Sequence, residues 1–517
     1  MKRSLTRERL DVPLRVRLKP QLKQFTLLDA MNDPAVFGPF FKDPQSWIAW
    51  RAFIAAAFGL PMSAEEFAIY QACTSRTTAP TQQMREAVLV VGRRGGKSRA
   101  LALVAVWLAC FCDYRQHLDA GELGLVQVLA ADKEQAKTIL RYAKAFVKRV
   151  PMLRRLVERE TNYGLELSNS IAIEIVTASF RTVRGRTVVA CLADEVAFWH
   201  SEESANPDVE VINAIRPGMA TIPNAMLLLA SSPYARKGVL YTQHKKYHGK
   251  DDPRVLSWQA STQQMNPSID PEFIKEAFEA DPVSASAEYG AQFRSDIEAF
   301  LTREVVETVT SEERERPYVA GNSYSAFVDP SGGSGTDSFT LAIAHVEQKI
   351  GILDVIREVK PNFSPRDVVE QYSVLLKQYG ITKIVGDRYA GEWPREQFQQ
   401  FGMTYEPSAR PKSQIYAEFL PMLMSKRIDL LDNDRLMNQL IGLERRVSRG
   451  GKDSIDHSPG GHDDISNAVA GVLTMMGTKK YRYDGSLSWV SSSSDVVQEQ
   501  SVSAQRLSNL LNLRGIR

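Results

Sequence analysis

Between residues 87 and 233 the chain returns five times to a short, nearly continuous apolar run: "AVLVV", "LGLVQVLAA", "IAIEIVTAS", "TVVACLADE" and "AMLLLASSP". A strand with one wet face alternates apolar and polar residues, so runs without alternation mark strands buried on both faces. Such strands belong to a parallel sheet covered by helices. Helical patterns follow the first two runs, from Ser98 and over 132–150, the second with a basic face of Arg141, Lys144, Lys148 and Arg149. The first half is therefore expected to be α/β, and no internal repeat is visible.

A chain of 517 residues exceeds what one core usually supports, so two domains or more are expected. The net charge of +3 is small for this length, and contact with nucleic acid would have to come from local patches. The four cysteines, Cys73, Cys110, Cys112 and Cys191, show no metal-type spacing beyond one C-x-C inside an apolar helix. They read as core thiols in a reducing compartment. The apolar run 100–112 falls short of the roughly 18 residues of a membrane span and reads as a buried helix. The start, "MKRSLTRERLDVPLRVRLKP", is basic but has no apolar h-region, so no secretory signal is expected and the chain should be cytoplasmic, with no membrane contact. Residues 296–320 turn charged and apolar-poor, which suits a linker with a boundary near Pro317.

After the first apolar run comes "VVGRRGGKSRA". The phosphate-loop pattern G-x-x-x-x-G-K-[ST], aligned on Gly96, Lys97 and Ser98, puts its first glycine at Val91, so the match fails by one residue. The order of buried strand, tight loop and helix is still the one a phosphate cradle needs. Backbone N–H groups of Gly92, Arg93, Arg94, Gly95 and Gly96 would face a phosphate, Lys97 would reach its β/γ oxygens, and the Ser98 hydroxyl would ligate Mg²⁺. The alternative is a glycine-rich surface turn with a chance lysine.

Hydrolysis needs acids as well, and "VVACLADE" supplies them at the end of a second apolar strand. Asp194 would hold Mg²⁺ and Glu195 would polarise the attacking water; a D-E pair capping the next helix is the competing reading. Ser231 and Ser232 end a third strand, where a residue could sense the γ-phosphate.

The second half carries a separate acidic set. "SYSAFVDPSGGSGTDSFTLAIAHVEQKIGILDVIREV" reads as three strands, with Asp329 ending the first. A helix "DVVEQYSVLLKQYG" follows, then a fourth strand, "ITKIVGDR", ending in Asp387. "GGHDDISNAVAGVLTMM" places Asp463 and Asp464 at the start of a late helix. Carboxylates at adjacent strand ends plus one on a covering helix can hold two Mg²⁺ or Mn²⁺ ions for phosphodiester cleavage. Each aspartate alone has a bland reading as a turn residue or an N-cap. The helix's apolar face runs through Ile465, Ala468, Val469 and Val472, and Asp464 lies nearer to it than Asp463, so Asp464 is favoured as the ligand. Asp337 and Asp354 read as structural or supporting acids.

The first half resembles the ATPase domain of the large terminase subunit of tailed double-stranded DNA phages. In that family the phosphate loop commonly lacks the first glycine and carries arginine ahead of G-K-S, as "GRRGGKS" does. The resemblance puts the Walker B acids on Asp194 and Glu195 and the coupling motif on Ser231 and Ser232, and "FRTVRGRT" and "EYGAQFRSDIEAFL" are similar to family segments. The second half resembles the family's RNase H-like nuclease domain, its acidic cluster matching Asp329, Asp387, Asp463 and Asp464; Asn467 stands where the family often carries an acid. The implied fold is a P-loop (RecA/ASCE-like) parallel-sheet ATPase domain followed by an RNase H-like mixed-sheet nuclease domain. The implied division is an N-terminal helical segment over 1–66, the ATPase over 67–300, a linker over 301–317, the nuclease over 318–480 and a flexible tail over 481–517.

The implied activity is ATP-driven translocation of double-stranded DNA into a prohead and metal-dependent cutting of concatemers. ATP and Mg²⁺ are the cofactors, with Mn²⁺ able to replace Mg²⁺ in the nuclease. Partners would be DNA, the small terminase subunit, the portal and further copies in a ring, in the host cytoplasm. The N-terminal aromatic segment would pack on the adenine side, with Gln71 a candidate reader. Arg93 and Arg94 would act on the γ-phosphate in cis, while Arg141, Arg149, Arg184 and Arg186 are candidates for reaching a neighbouring subunit. The alternatives are a cellular helicase-nuclease of repair or restriction, which would unwind strands, and a recombination scaffold with inert sites.

Overall fold

The computed structural model describes residues 25–179, 182–199, 207–388, 392–447 and 453–477. The basic start of the chain and the tail read over 481–517 lie outside them.

Eight strands form the first sheet: β1 (Glu86–Val91), β2 (Gly124–Ala130), β3 (Val157–Thr161), β4 (Gly164–Leu167), β5 (Ile171–Thr177), β6 (Val188–Asp194), β7 (Met226–Ser231) and β8 (Val255–Ala260). Their order is β3-β4-β5-β2-β6-β7-β1-β8. From β5 to β8 every pairing is parallel, and β2, β6 and β7 are buried along their whole length. The unbroken apolar runs thus give the doubly covered parallel sheet that their pattern predicts. β3 and β4 join antiparallel at one edge. Because the central strands are parallel, the loops after β1, β6 and β7 all leave from one sheet edge, with β7 between the other two. No helix among the described residues is long and apolar enough to cross a membrane.

The first core draws on residues from Leu27 to Ala291, so the described part of the expected N-terminal segment is built into it. The helix Ile48–Phe58 buries Trp50 and Phe53, and the Phe53 ring meets Trp258 of β8 edge-on. The helix Lys97–Phe111 is buried as expected, but it ends before Cys112. The C-x-C pair therefore straddles the helix end, and Cys110 and Cys112 are half-buried while Cys73 and Cys191 are core residues. Burial pushes the Cys73 and Cys110 thiols up to about 12, which keeps them protonated and inert.

The charged stretch read as a linker is packed. β9 (Ile297–Ala299) and the helix Arg303–Glu307 precede Val309, and Leu301, Val306 and Val309 enter the second core. Few apolar residues suffice when their spacing places them on one side.

The second sheet contains β10 (Tyr324–Asp329), β11 (Phe339–Glu347), β12 (Ile350–Val359), β13 (Lys383–Gly386), β14 (Thr404–Pro407) and β15 (Ile428–Asp429), in the order β14-β13-β10-β11-β12-β15. β11 is antiparallel to β10 and β12, while β13 runs parallel to β10. Alternation along β10 sends Phe327 to a core with the helix Asp464–Gly477, and Ala326 and Val328 to a core with the helix Pro365–Gln378. Each face is covered by helix. Gly471 is where the late helix crosses β10: a Cβ there would lie 2.6 Å from ring atoms of Phe327. A small antiparallel sheet of β9, β16 (Leu443–Arg446) and β17 (Ser454–His457) completes the fold.

Candidate functional site

Two constellations of polar side chains stand at sheet edges, one in each half. In the first, the loop 92–96 links β1 to the helix Lys97–Phe111. Gly96, with φ of 91°, is the helix N-cap and supplies no side-chain cap, which leaves the first-turn N–H groups for a ligand. Val91, at the place of the usual first glycine, is accommodated by Gly95: a Cβ on Gly95 would lie 2.7 Å from Val91 Cγ1.

Lys97 is buried. Its Nζ donates to the Val91 carbonyl at 3.0 Å and pairs with Glu195 Oε1 at 3.2 Å. Glu195 takes the left-handed conformation, φ 48°, a strained choice for a side chain of this kind. The other carboxylate oxygen, Oε2, accepts from Ser231 Oγ at 3.0 Å, the Ser232 N–H at 3.1 Å and Ser232 Oγ at 3.3 Å. The three strand ends expected to cooperate are thus joined through one carboxylate. Asp194 is buried, and its Oδ1 has no hydrogen-bond partner among the described residues. Burial, and then the neighbouring Glu195 charge, push its carboxyl up to about 7 despite Lys97. An orphaned buried carboxylate oxygen beside the loop 92–96 fits the chemistry of a cation ligand.

Ser98 is half-buried at the helix start and Arg94 is exposed, with φ of 65°. The exposed Arg93 pairs with Glu288 at 3.2 Å. Arg186 pairs with Glu174 at 2.6 Å, Lys144 and Lys148 with Glu160, and Gln71 is exposed on the helix Ala64–Thr74. The N-terminal segment reaches the phosphate loop itself, through Trp50 Nε1 to the Gly95 carbonyl at 2.9 Å.

In the second constellation, parallel register does the positioning. β10 and β13 pair Phe327 with Val385 and Val328 with Gly386, so the next residues, Asp329 and Asp387, come level at the strand ends. The Asp387 N–H donates to the Val328 carbonyl at 3.0 Å. Asn467 Nδ2 bridges them, donating to Asp329 Oδ2 at 2.8 Å and Asp387 Oδ2 at 2.9 Å. Burial, and then the Asp387 charge, hold the Asp329 carboxyl well above the usual range; Asp464 adds more to this than Asp463 does. Asn467 Oδ1 is buried without a partner among the described residues.

Asp463 and Asp464 separate as neighbours on a helix must. Asp464 Oδ2 accepts from the Ser338 N–H at 3.0 Å, and its carbonyl from Thr340 Oγ1 at 2.7 Å; Thr340 is the cross-strand partner of Asp329. Burial pushes Asp464 up to about 6, against the pull of the Ser338 N–H. Asp463 faces Lys412 Nζ at 3.1 Å and the Tyr416 hydroxyl at 2.9 Å. Asp456, His457 and Asp463 present ligand atoms within 4.8 Å of one another, but Lys412 Nζ, 2.7 Å from Asp456 Oδ1, already supplies the cation there. Asp354 is buried against His345 at 2.8 Å, and Asp337 lies 3.4 Å from His462. Sequence reasoning missed Lys412, Tyr416 and Trp50; nothing in their local patterns marks partners 45 to 51 residues away.

No protein-family model matches the sequence, and no curated protein matches it. Among solved structures, the chain is similar to the large terminase of bacteriophage HK97, at 15% identity, over 83% of this chain and 99% of that one, with a TM-score of 0.37. It is similar to the large terminase of a thermophilic bacteriophage at 10% identity, over 83% and 98%, with a TM-score of 0.37. It is similar as well to the large terminase nuclease of the thermophilic phage G20c, at 15% identity over 33% of this chain and 95% of that one, with a TM-score of 0.30.

Proposed function

We propose that this chain is a large terminase subunit: its first half hydrolyses ATP to drive double-stranded DNA into a prohead, and its second half cuts concatemeric DNA. The observation that carries the reading is the joint gathering of Lys97, Asp194, Glu195, Ser231 and Ser232 at one parallel-sheet edge, in a chain whose second sheet aligns Asp329 with Asp387. The sequence resemblance supports both halves.

On nucleotide binding, Lys97 exchanges the Glu195 carboxylate for β/γ-phosphate oxygens, and the first-turn N–H groups face the same phosphates. Asp194 Oδ1 and the Ser98 hydroxyl are the groups that would hold Mg²⁺, which when bound neutralises phosphate charge. Glu195, released by Lys97 but still within reach of Ser231 and Ser232, orients water and accepts its proton. The serine grip makes the base's position depend on β7, so loss of the γ-phosphate is felt at a third strand end. In the nuclease, Asp329, Asp387 and Asp464 would hold the divalent cations, with Asn467 Oδ1 a neutral fourth donor; bound cations stabilise the attacking and leaving oxygens. Asp463, committed to Lys412 and Tyr416, falls outside this set and fixes the helix instead. Small terminase subunit, portal and further copies in a ring remain the proposed partners, in the host cytoplasm.

Glu195→Ala is expected to bind ATP and to lose turnover by at least about a hundredfold, whereas Lys97→Ala loses binding itself. Equilibrium nucleotide binding alongside phosphate release checks both. Wild-type turnover by Glu195→Ala would remove it from the chemistry.

A further inference from the structure

Three consecutive carbonyls of the phosphate loop are taken up by side chains from elsewhere in the chain. Thr262 Oγ1 donates to the Arg93 carbonyl at 2.7 Å, Asn266 Nδ2 to the Arg94 carbonyl at 3.0 Å, and Trp50 Nε1 to the Gly95 carbonyl at 2.9 Å. Trp50 sits in the helix Ile48–Phe58, while Thr262 and Asn266 begin and follow the short helix Thr262–Met265 after β8. Thr262 and Trp50 are fully buried. The Thr262 N–H is itself fixed on the Tyr289 carbonyl at 2.8 Å, so the clamp rests on the core and not on a free loop.

A trans peptide is planar, with its C=O and N–H pointing to opposite sides. Holding the Arg93 carbonyl outward therefore turns the Arg94 N–H the other way, and holding the Gly95 carbonyl does the same for the Gly96 N–H. The middle peptide behaves differently: its N–H, on Gly95, closes the turn onto the Gly92 carbonyl at 3.1 Å. Left to itself a loop with glycines at both ends would sample both orientations of each peptide, and a carbonyl turned inward would repel an anion. The strained φ of 65° at Arg94 also needs outside contacts to hold it.

We propose that Thr262, Asn266 and Trp50 are positioning residues for polyphosphate binding: by holding the Arg93 and Gly95 carbonyls outward, Thr262 and Trp50 fix the Arg94 and Gly96 N–H groups toward the phosphates, and Asn266, on the Arg94 carbonyl, holds the left-handed turn between them. This rests on the reading of the loop as an ATP site. The residues touch the loop and not the ligand, and none falls within the phosphate-loop or acidic-strand motifs.

The test is ATP affinity of the full chain, with inorganic tripolyphosphate as competitor and thermal unfolding as the check on folding. Asn266→Ala and Thr262→Val are each expected to weaken ATP and tripolyphosphate alike by about tenfold, the worth of one oriented hydrogen bond. Thr262→Ser, which keeps the hydroxyl, should restore affinity to within about threefold. Wild-type affinity in both Asn266→Ala and Thr262→Val would overturn the proposal, as would failure of Thr262→Ser to rescue. Lys97→Ala separates the two levels: undiminished ATP binding in that variant refutes the ATP site, whereas loss there with normal binding in the clamp variants refutes only the clamp.

Discussion

Asn467 shows how one side chain can set the state of a site. A carboxylate at that position would bring a further negative charge against Asp329 and Asp387, and the Asp387 charge already raises the proton affinity of Asp329; the amide donates to both instead. The cluster is still expected to be costly without metal. Asp464, pushed up to about 6, lies above the ordinary aspartate value of about 3.9. Its folded form therefore prefers the proton, and the stabilisation from protonation is fully present below about pH 4 and lost as pH rises through about 6. In chelator, denaturant unfolding should show the protein losing on the order of 3 kcal/mol from this group across that window. Asp464→Asn should remove that part of the pH dependence, while Asp463→Asn, which removes one of the two carboxylates on Lys412 and leaves it Asp456 alone, should lower stability at neutral pH. An unchanged pH profile in Asp464→Asn would contradict the assignment.

At the scale of elements, sequence and structure meet most closely where a strand is buried on both faces. β1, β2, β5, β6 and β7 follow directly from unbroken apolar runs, and Asp194, Asp329 and Asp387 stand at the strand ends where the pattern puts them. The β3–β4 hairpin escapes that logic because "VERET" is charged and half in water. β9, β16 and β17 are three or four residues each, and β9 pairs with β16 over a separation of more than a hundred residues, so no local period announces them. Asn467's contacts were equally hidden, since they depend on the crossing of its helix over β10. That crossing makes its own prediction. Gly471→Ala drives a methyl group into the Phe327 ring and should cost about 1–3 kcal/mol by overpacking. Because the same helix carries Asp464 and Asn467, DNA cleavage should fall with it. Thermal unfolding and plasmid cleavage check the pair of effects, and a neutral substitution would mean that the helix lies further from β10.

For the whole molecule, the contact of interest joins the two halves at Glu444, a fully buried carboxylate on β16. Tyr234 donates to it at 2.7 Å and Lys237 Nζ stands 2.6 Å away. Both belong to the loop that begins with Ser231 and Ser232, the residues gripping Glu195. One loop thus touches Glu195 at one end and the second half of the chain at the other. Glu444→Ala removes a buried acceptor, and since Lys237 is 43% exposed and can turn to water, the expected loss is about 1–3 kcal/mol. Calorimetry should show the two halves melting further apart than in the wild type. Coincident, unshifted melting would show that the contact carries no weight.

The two proposed active sites, built on separate sheets, should fail separately, and Asp329→Asn tests this most directly. The substitution keeps side-chain size and removes one negative charge from the proposed cation site, while leaving Lys97, Asp194 and Glu195 untouched. Plasmid cleavage in Mg²⁺ or Mn²⁺ and phosphate release from ATP are to be measured on one preparation. Cleavage should drop by at least about a hundredfold, with phosphate release at the wild-type rate. Full cleavage by Asp329→Asn, or loss of both activities in a protein that remains folded, would contradict the division of labour between the two halves.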